Sequence, residues 1–194
     1  MGSDVSVNYL SIFASGGGSH FKCIHQATLN NQLTAKVVLL VSNKADCGAV
    51  HYAHKNNIPV FLTTNIENDT QNLLQALDQH QVTDIILAGF IKKIPLEVVA
   101  EYKDKIINIH PSLLPKYGGK GMYGLNVHKA VLDNAEKHTG CTIHKVNEFY
   151  DEGDILAQHK VEIPNTIKTA QELSDFLKPI ENEYYLNFIK NYLK

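Results

Sequence analysis

Short, β-branched apolar runs alternate with longer amphipathic stretches through the first half of the chain, and no other feature constrains the fold as much. The apolar runs Val7–Phe13, Ala35–Ser42, Pro59–Leu62, Asp84–Ala88 and Ile106–Ile109 read as strands covered on both faces. Between them, Phe21–Leu29, Ala49–Lys55 and Thr70–His80 carry apolar residues at spacings near three and four, as helices do when one side faces a core. Strand and helix in strict alternation imply right-handed crossovers, and so an α/β fold built on an open, doubly wound, mostly parallel sheet. At 194 residues the chain has the size of one domain, expected to span residues 1–194.

The pattern changes in the second half. Thr139–Val146 and Ile155–Ile163 are extended segments joined by a polar turn at Glu148–Asp154, which reads as a C-terminal β-hairpin extending the sheet. Thr169–Leu193 reads as a long C-terminal helix, interrupted or started afresh near Pro179. Between the halves, His110–Leu125 holds two prolines and four glycines and is expected to form no regular element. A loop of that length inside a compact domain is more often functional than idle.

Charge and cysteine usage exclude several classes of function. The 18 basic and 20 acidic residues are mixed along the length, so no basic stripe marks a nucleic-acid surface. Cys23, Cys47 and Cys141 are odd in number and widely spaced, which fits neither a disulfide framework nor a zinc site. No apolar run is long enough for a bilayer and the N-terminus lacks a signal-peptide pattern, so a soluble cytoplasmic protein with no membrane partner is expected. Met1-Gly2-Ser3-Asp4-Val5-Ser6 satisfies the loose myristoylation pattern, yet no second membrane signal follows and Met1–Ser3 also reads as a tag remnant.

Three motifs can carry chemistry. Ser15-Gly16-Gly17-Gly18-Ser19 lies between an expected strand and an expected helix, where glycines let backbone N–H groups approach a ligand and the helix N-terminus favours an anion. The turn has neither the dinucleotide fingerprint nor a P-loop lysine, so a phosphate is expected there but not ATP or NAD. In Ile106-Ile107-Asn108-Ile109-His110-Pro111, period-two geometry puts Asn108 and His110 on one face at the carboxyl end of a strand, the end at which open α/β sheets bind ligands. The third motif is the acidic turn Phe149-Tyr150-Asp151-Glu152-Gly153-Asp154. A carboxylate there, if held near His110, raises the imidazolium population and orients the ring; an ordinary surface turn has the same composition.

These segments, with Ser42-Asn43-Lys44-Ala45-Asp46, Leu87-Ala88-Gly89-Phe90 and the run Ser112-Leu113-Leu114-Pro115, together resemble the phosphoribosylglycinamide formyltransferases, in order and nearly without gaps. The Gly118–Gly124 stretch resembles a subgroup with a glycine-rich extension, and Lys92 stands where many members carry arginine. The resemblance implies formyl transfer from 10-formyltetrahydrofolate to glycinamide ribonucleotide in purine biosynthesis, with no metal. It implies Asn108, His110 and Asp151 as catalytic residues. It further implies Gly17, Gly18, Ser19 and His20 at the ribose phosphate and Glu181 at the glycyl amine. The folate would lie against Ile91, Lys92, Lys93 and Ile94, against Asn108, and against Asn147, Glu148, Phe149, Tyr150 and Asp151. A transformylase acting on charged tRNA would need a basic surface and a further domain; a formyltetrahydrofolate hydrolase would share the triad with water as acceptor. A catalytically silent nucleotide-binding module is the remaining alternative.

Overall fold

A computed structural model describes residues 7–193; the Met1–Ser6 myristoylation match lies outside them. Seven strands form one sheet: β1 Asn8–Phe13, β2 Ala35–Ser42, β3 Val60–Leu62, β4 Asp84–Leu87, β5 Ile106–His110, β6 His138–Lys145 and β7 Ile155–Glu162. Their order is β3-β2-β1-β4-β5-β6-β7. Neighbours pair in parallel from β3 to β5, whereas β6 runs antiparallel to β5 and β7 antiparallel to β6, so the hairpin extends the sheet as expected. The helices are α1 Ser19–Leu29, α2 Gly48–Lys55, α3 Thr70–Gln79, α4 Leu96–Glu101, α5 Leu125–Asp133 and α6 Ala170–Tyr192.

Alternation along the strands divides the core into two layers. Leu10, Ile12, Leu40, Ile86, Ile107 and Ile109 pack with residues of α1, α2 and α6. Phe13, Leu39, Val41, Ile85, Leu87 and Ile106 pack on the other face with residues of α3 and α4. Burial of both faces is why these strands read as continuous apolar runs and not as alternating ones.

Three local features depart from the sequence reading. Helix α4 was not expected, because its six residues bury only Val98 and are too short to display a helical period. Helix α5 begins at Leu125, where the glycine-rich loop ends, and a polar His128 sits on its buried face between Val127 and Val131. Helix α6 runs unbroken through Pro179. A mid-helix proline removes one backbone donor. Burial of Leu173 and Leu177 before it, and of Tyr185 and Ile189 after it, holds both halves on one axis. The start of α6 is set locally by a capping box, in which Thr169 accepts from the Glu172 N–H and the Glu172 carboxylate accepts from the Thr169 N–H.

The strand order reverses between β1 and β4, and a crevice opens outside the carboxyl ends of strands at such a switch point. The Ser15–Ser19 turn leaves β1, Ala88–Ile91 leaves β4 and His110 ends β5. All three therefore converge on one cleft.

Candidate active site

The glycine turn is built for close approach. Gly18, at φ 71, is the N-cap of α1, and a Cβ there would lie 3.0 Å from the Cα and Cβ of Ala49. Glycine at 18 is thus a requirement of the fold. A Cβ on Gly16 or Gly17 would meet nothing within 4 Å, so the space beside them is open to a ligand. No side chain caps α1, which leaves its first N–H groups free for an anion. Ser15 ties this turn to its neighbours, donating from Oγ to Asn43 Oδ1 and accepting from the Ile91 N–H at 3.1 Å.

Asn108 and His110 lie on the β5 face shared with Ile106, beyond the part that α3 and α4 cover. Cross-strand pairing places His144 opposite Asn108 and Thr142 opposite His110. His144 was not singled out from the sequence; only its period-two position on Thr139–Val146 could have suggested it. Its Nδ1–H donates to the Lys145 carbonyl at 2.7 Å, which leaves Nε2 bare to accept from Asn108 Nδ2 at 3.0 Å. One Asn108 N–H is thereby fixed and the other remains for a ligand. His110 donates from Nε2 to the Tyr117 carbonyl at 2.8 Å, so in the neutral ring Nδ1 carries no hydrogen.

Asp151, at φ 57 in the turn between β6 and β7, reaches both rings. Its Oδ2 lies 3.5 Å from His110 Nδ1 and its Oδ1 3.5 Å from His144 Nε2, while Oδ2 accepts the Gly119 N–H at 2.9 Å. Burial raises this carboxyl, but the two rings and the Gly119 N–H together more than offset it and hold the group below the ordinary carboxylate range. Asp151 acts on His110 in the expected direction, toward imidazolium, but burial of the ring opposes it. Burial lowers the pKa of His110 more than Asp151 and the Tyr117 carbonyl raise it, so the free protein holds a neutral ring beside an ionised carboxylate.

The cleft that these groups line measures about 690 Å³. Gly17, Gly18, Ser19, His20 and Glu181 border it, as do Ile91, Lys92, Tyr150 and Asp151. Five other positions expected at the folate fall elsewhere. Lys93 borders a smaller hollow of about 320 Å³ with Thr64, Asn65 and Glu67, which meets the cleft at Lys92 and Tyr150. Ile94 is buried in the α3/α4 core layer, and Asn147, Glu148 and Phe149 border neither space. The sequence contains no arginine, so every cation at the cleft, namely Lys44, Lys92, Lys120 and Lys178, is a lysine point charge and not a planar fork. Among the described residues no group of three or more His, Cys, Asp or Glu is placed to hold a metal ion.

Burial favours the neutral forms of three more groups here. Desolvation carries His20 down to about 4, offset only in part by the nearby Asn182 side chain. It does the same to His128, with help from Lys178 and His110. Desolvation lifts Glu181 to about 7, against Lys178. His20 Nδ1, His128 Nδ1 and Glu181 Oε1 have no protein partner, as expected of groups that meet a ligand.

The histidine values set a pH dependence of stability. Between about 4 and 6.5 the unfolded chain binds protons at His20 and His128 that the folded chain does not, so stability is lost as pH falls through that window. Glu181 acts in the opposite sense, its contribution growing as pH falls from about 7 to 4.5. Two histidines outweigh one carboxyl, so thermal melts are expected to show a net loss toward acid on the order of a few kcal/mol. His128→Leu should reduce that loss; an acid limb unchanged in the variant would contradict the assignment.

The sequence model of the family described as formyl transferase matches residues 9–189. The chain belongs to the formyl transferase family. Among relatives of this chain, the chloroplastic phosphoribosylglycinamide formyltransferase of Arabidopsis thaliana is 41% identical over 186 residues, covering 93% of this chain and 63% of that protein. The phosphoribosylglycinamide formyltransferase of Haemophilus influenzae is 35% identical over 162 residues, 79% of this chain and 73% of that protein. The crystal structure of phosphoribosylglycinamide formyltransferase from Bacillus halodurans matches with a TM-score of 0.88 at 30% identity over 96% of each chain. The chain spans about three fifths of the length of the plant relatives it matches. Among the described residues no helix is long and apolar enough to cross a membrane.

Proposed function

We propose that this formyl transferase moves the formyl group of 10-formyltetrahydrofolate onto the amine of glycinamide ribonucleotide, a step of de novo purine biosynthesis. The observation that carries the reading is the meeting of Asn108, His110 and Asp151 in one cleft with an uncapped helix N-terminus and the buried Glu181. The relatives named phosphoribosylglycinamide formyltransferase support the same acceptor.

In this reading the ribonucleotide phosphate lies at the Gly17–His20 turn and its amine near Glu181. A carboxyl near pKa 7 is matched to take a proton from an ammonium group, leaving the amine free to attack. As the amine nitrogen bonds to the formyl carbon, the formyl oxygen gains negative charge, which the free N–H of Asn108 stabilises. The new bond leaves a positive, proton-bearing nitrogen. Its proton passes to the bare His110 Nδ1, facing Asp151 Oδ2, and then to the folate nitrogen as that carbon–nitrogen bond breaks. The imidazolium exists only between these transfers, beside the carboxylate that stabilises it. In this reading the pterin lies along Ile91–Lys92 and Tyr150–Asp151, which line the cleft, with the Lys93 hollow as its outer extension. Three free thiols, Cys23, Cys47 and Cys141, suit a reducing compartment such as the cytoplasm.

Incubation with both substrates should yield a ribonucleotide heavier by one CO unit, read by mass spectrometry; an unmodified ribonucleotide would refute the acceptor. A finer test separates the two subsites. Gly17→Ala should fold normally, since its Cβ meets no protein atom, yet raise KM for the ribonucleotide about ten-fold, the value of one lost anion contact. Its KM for the folate should stay within about two-fold. Equal increases for both substrates would show that the turn is not the phosphate site.

A further inference from the structure

We propose that Tyr117 and Glu136 are positioning residues for the His110–Asp151 pair, acting through the first residues of the glycine-rich loop. The inference rests on the reading of that pair as the proton carrier. Three consecutive loop residues touch it. The Tyr117 carbonyl accepts the His110 Nε2–H at 2.8 Å, and the Gly119 N–H donates to Asp151 Oδ2 at 2.9 Å. Gly118, between them, packs so closely that a Cβ would lie 2.5 Å from Leu114 Cδ2 and 3.3 Å from Asp151 Cβ.

A carbonyl can only accept, so the Tyr117 contact selects the His110 tautomer. With hydrogen held on Nε2, the bare nitrogen is Nδ1, the one that faces Asp151. Tyr117 achieves this by standing at φ 58, a region that a bulky side chain rarely occupies. Something must hold it there. Its phenol donates to Glu136 Oε1 at 2.9 Å, and Lys116 Nζ meets the same oxygen at 2.7 Å. Ser112 Oγ fixes the preceding peptide, donating to the Lys116 carbonyl at 2.6 Å. Glu136, just beyond α5 and outside the lining of the cleft, thereby anchors the residue that orients the ring. Lys116 is largely exposed, and an ion pair so open to water adds little to stability. The purpose that remains for this anchor is geometric.

The test uses the full chain labelled with ¹⁵N-histidine, with His110 assigned by comparison with His110→Gln. The nitrogen shifts of the wild type should report hydrogen on Nε2 and a bare Nδ1 at neutral pH, without any substrate. In Tyr117→Phe and Glu136→Gln the two nitrogens should average toward a tautomer mixture and the ring titration should move. In the same variants kcat should fall about ten-fold while both KM values stay within about two-fold, as for a misaligned group and not a lost binding contact. Melting temperatures should shift by no more than about 2 °C. Unchanged nitrogen shifts in both variants would overturn the proposal. So would kcat and KM falling off together with a large loss of melting temperature, since that marks a structural role. A wild type with no formyl transfer would refute the proposed function, and the nitrogen shifts would still decide the positioning role.

Discussion

Asp151→Asn is expected to lower kcat on the order of 10³–10⁴-fold while the protein stays folded. An asparagine amide can keep the Gly119 contact through its oxygen. That oxygen is the one that now lies 3.5 Å from His110 Nδ1, so the ring keeps an oxygen beside it but an uncharged one, and the NH₂ takes the place of Oδ1 beside His144 Nε2. The substitution therefore removes the charge that stabilises imidazolium while keeping the side chain's size and its contact with Gly119. Burial already holds His110 below its ordinary pKa, and loss of Asp151 should move its titration further toward acid. Saturating kinetics, a thermal melt and NMR of the His110 ring protons check the three parts. Most of the activity retained, with the titration in place, would remove Asp151 from the mechanism.

Tyr185→Ala is expected to cost about 3–5 kcal/mol of stability, the largest effect of a single truncation in this core. Tyr185 is fully buried on α6, and its hydroxyl lies 3.2 Å from the Leu87 carbonyl and 3.3 Å from the Ile107 carbonyl. It thus joins the C-terminal helix to the ends of β4 and β5, one residue before Asn108. The ring also meets His20 edge-on, with centroids 5.7 Å apart, so one side chain supports both the start of α1 and the strand that carries Asn108 and His110. Tyr185→Phe keeps the ring and should cost about 1 kcal/mol, which separates packing from hydrogen bonding. Denaturant midpoints read both variants. Equal losses for Ala and Phe would show that the hydroxyl, and not the buried ring, carries the stability.

Much of this fold could be read from periodicity, because strands buried on both faces advertise themselves as apolar runs and each of the long crossover helices has one buried side. What escaped had no period to show. Helix α4 is too short, and α6 looks broken at Pro179 until the packing of Leu173, Leu177, Tyr185 and Ile189 is seen. The site divides in the same way. Asn108 and His110 share a strand, so spacing alone places them together. Asp151 joins them only by tertiary folding of the hairpin turn, and its composition suits a surface turn equally well; the family resemblance, not the spacing, supplied it. His144, His128 and Tyr117 were missed because one is a strand residue among many, one sits singly on a helix and one acts through its carbonyl, which no side-chain pattern records. The net shift of His110 could not be read, because burial, which the sequence does not display, outweighs its carboxylate neighbour.

The central claim is transfer to an amine acceptor and not to water, and the stoichiometry of folate release tests it most directly. Deformylated folate is followed by absorbance while glycinamide ribonucleotide is varied at fixed 10-formyltetrahydrofolate. The account predicts one folate released per ribonucleotide supplied, none without it, and none from Asn108→Ala beyond a residual about 10²–10³-fold slower. Folate release at the same rate with the ribonucleotide omitted would contradict it and make water the acceptor.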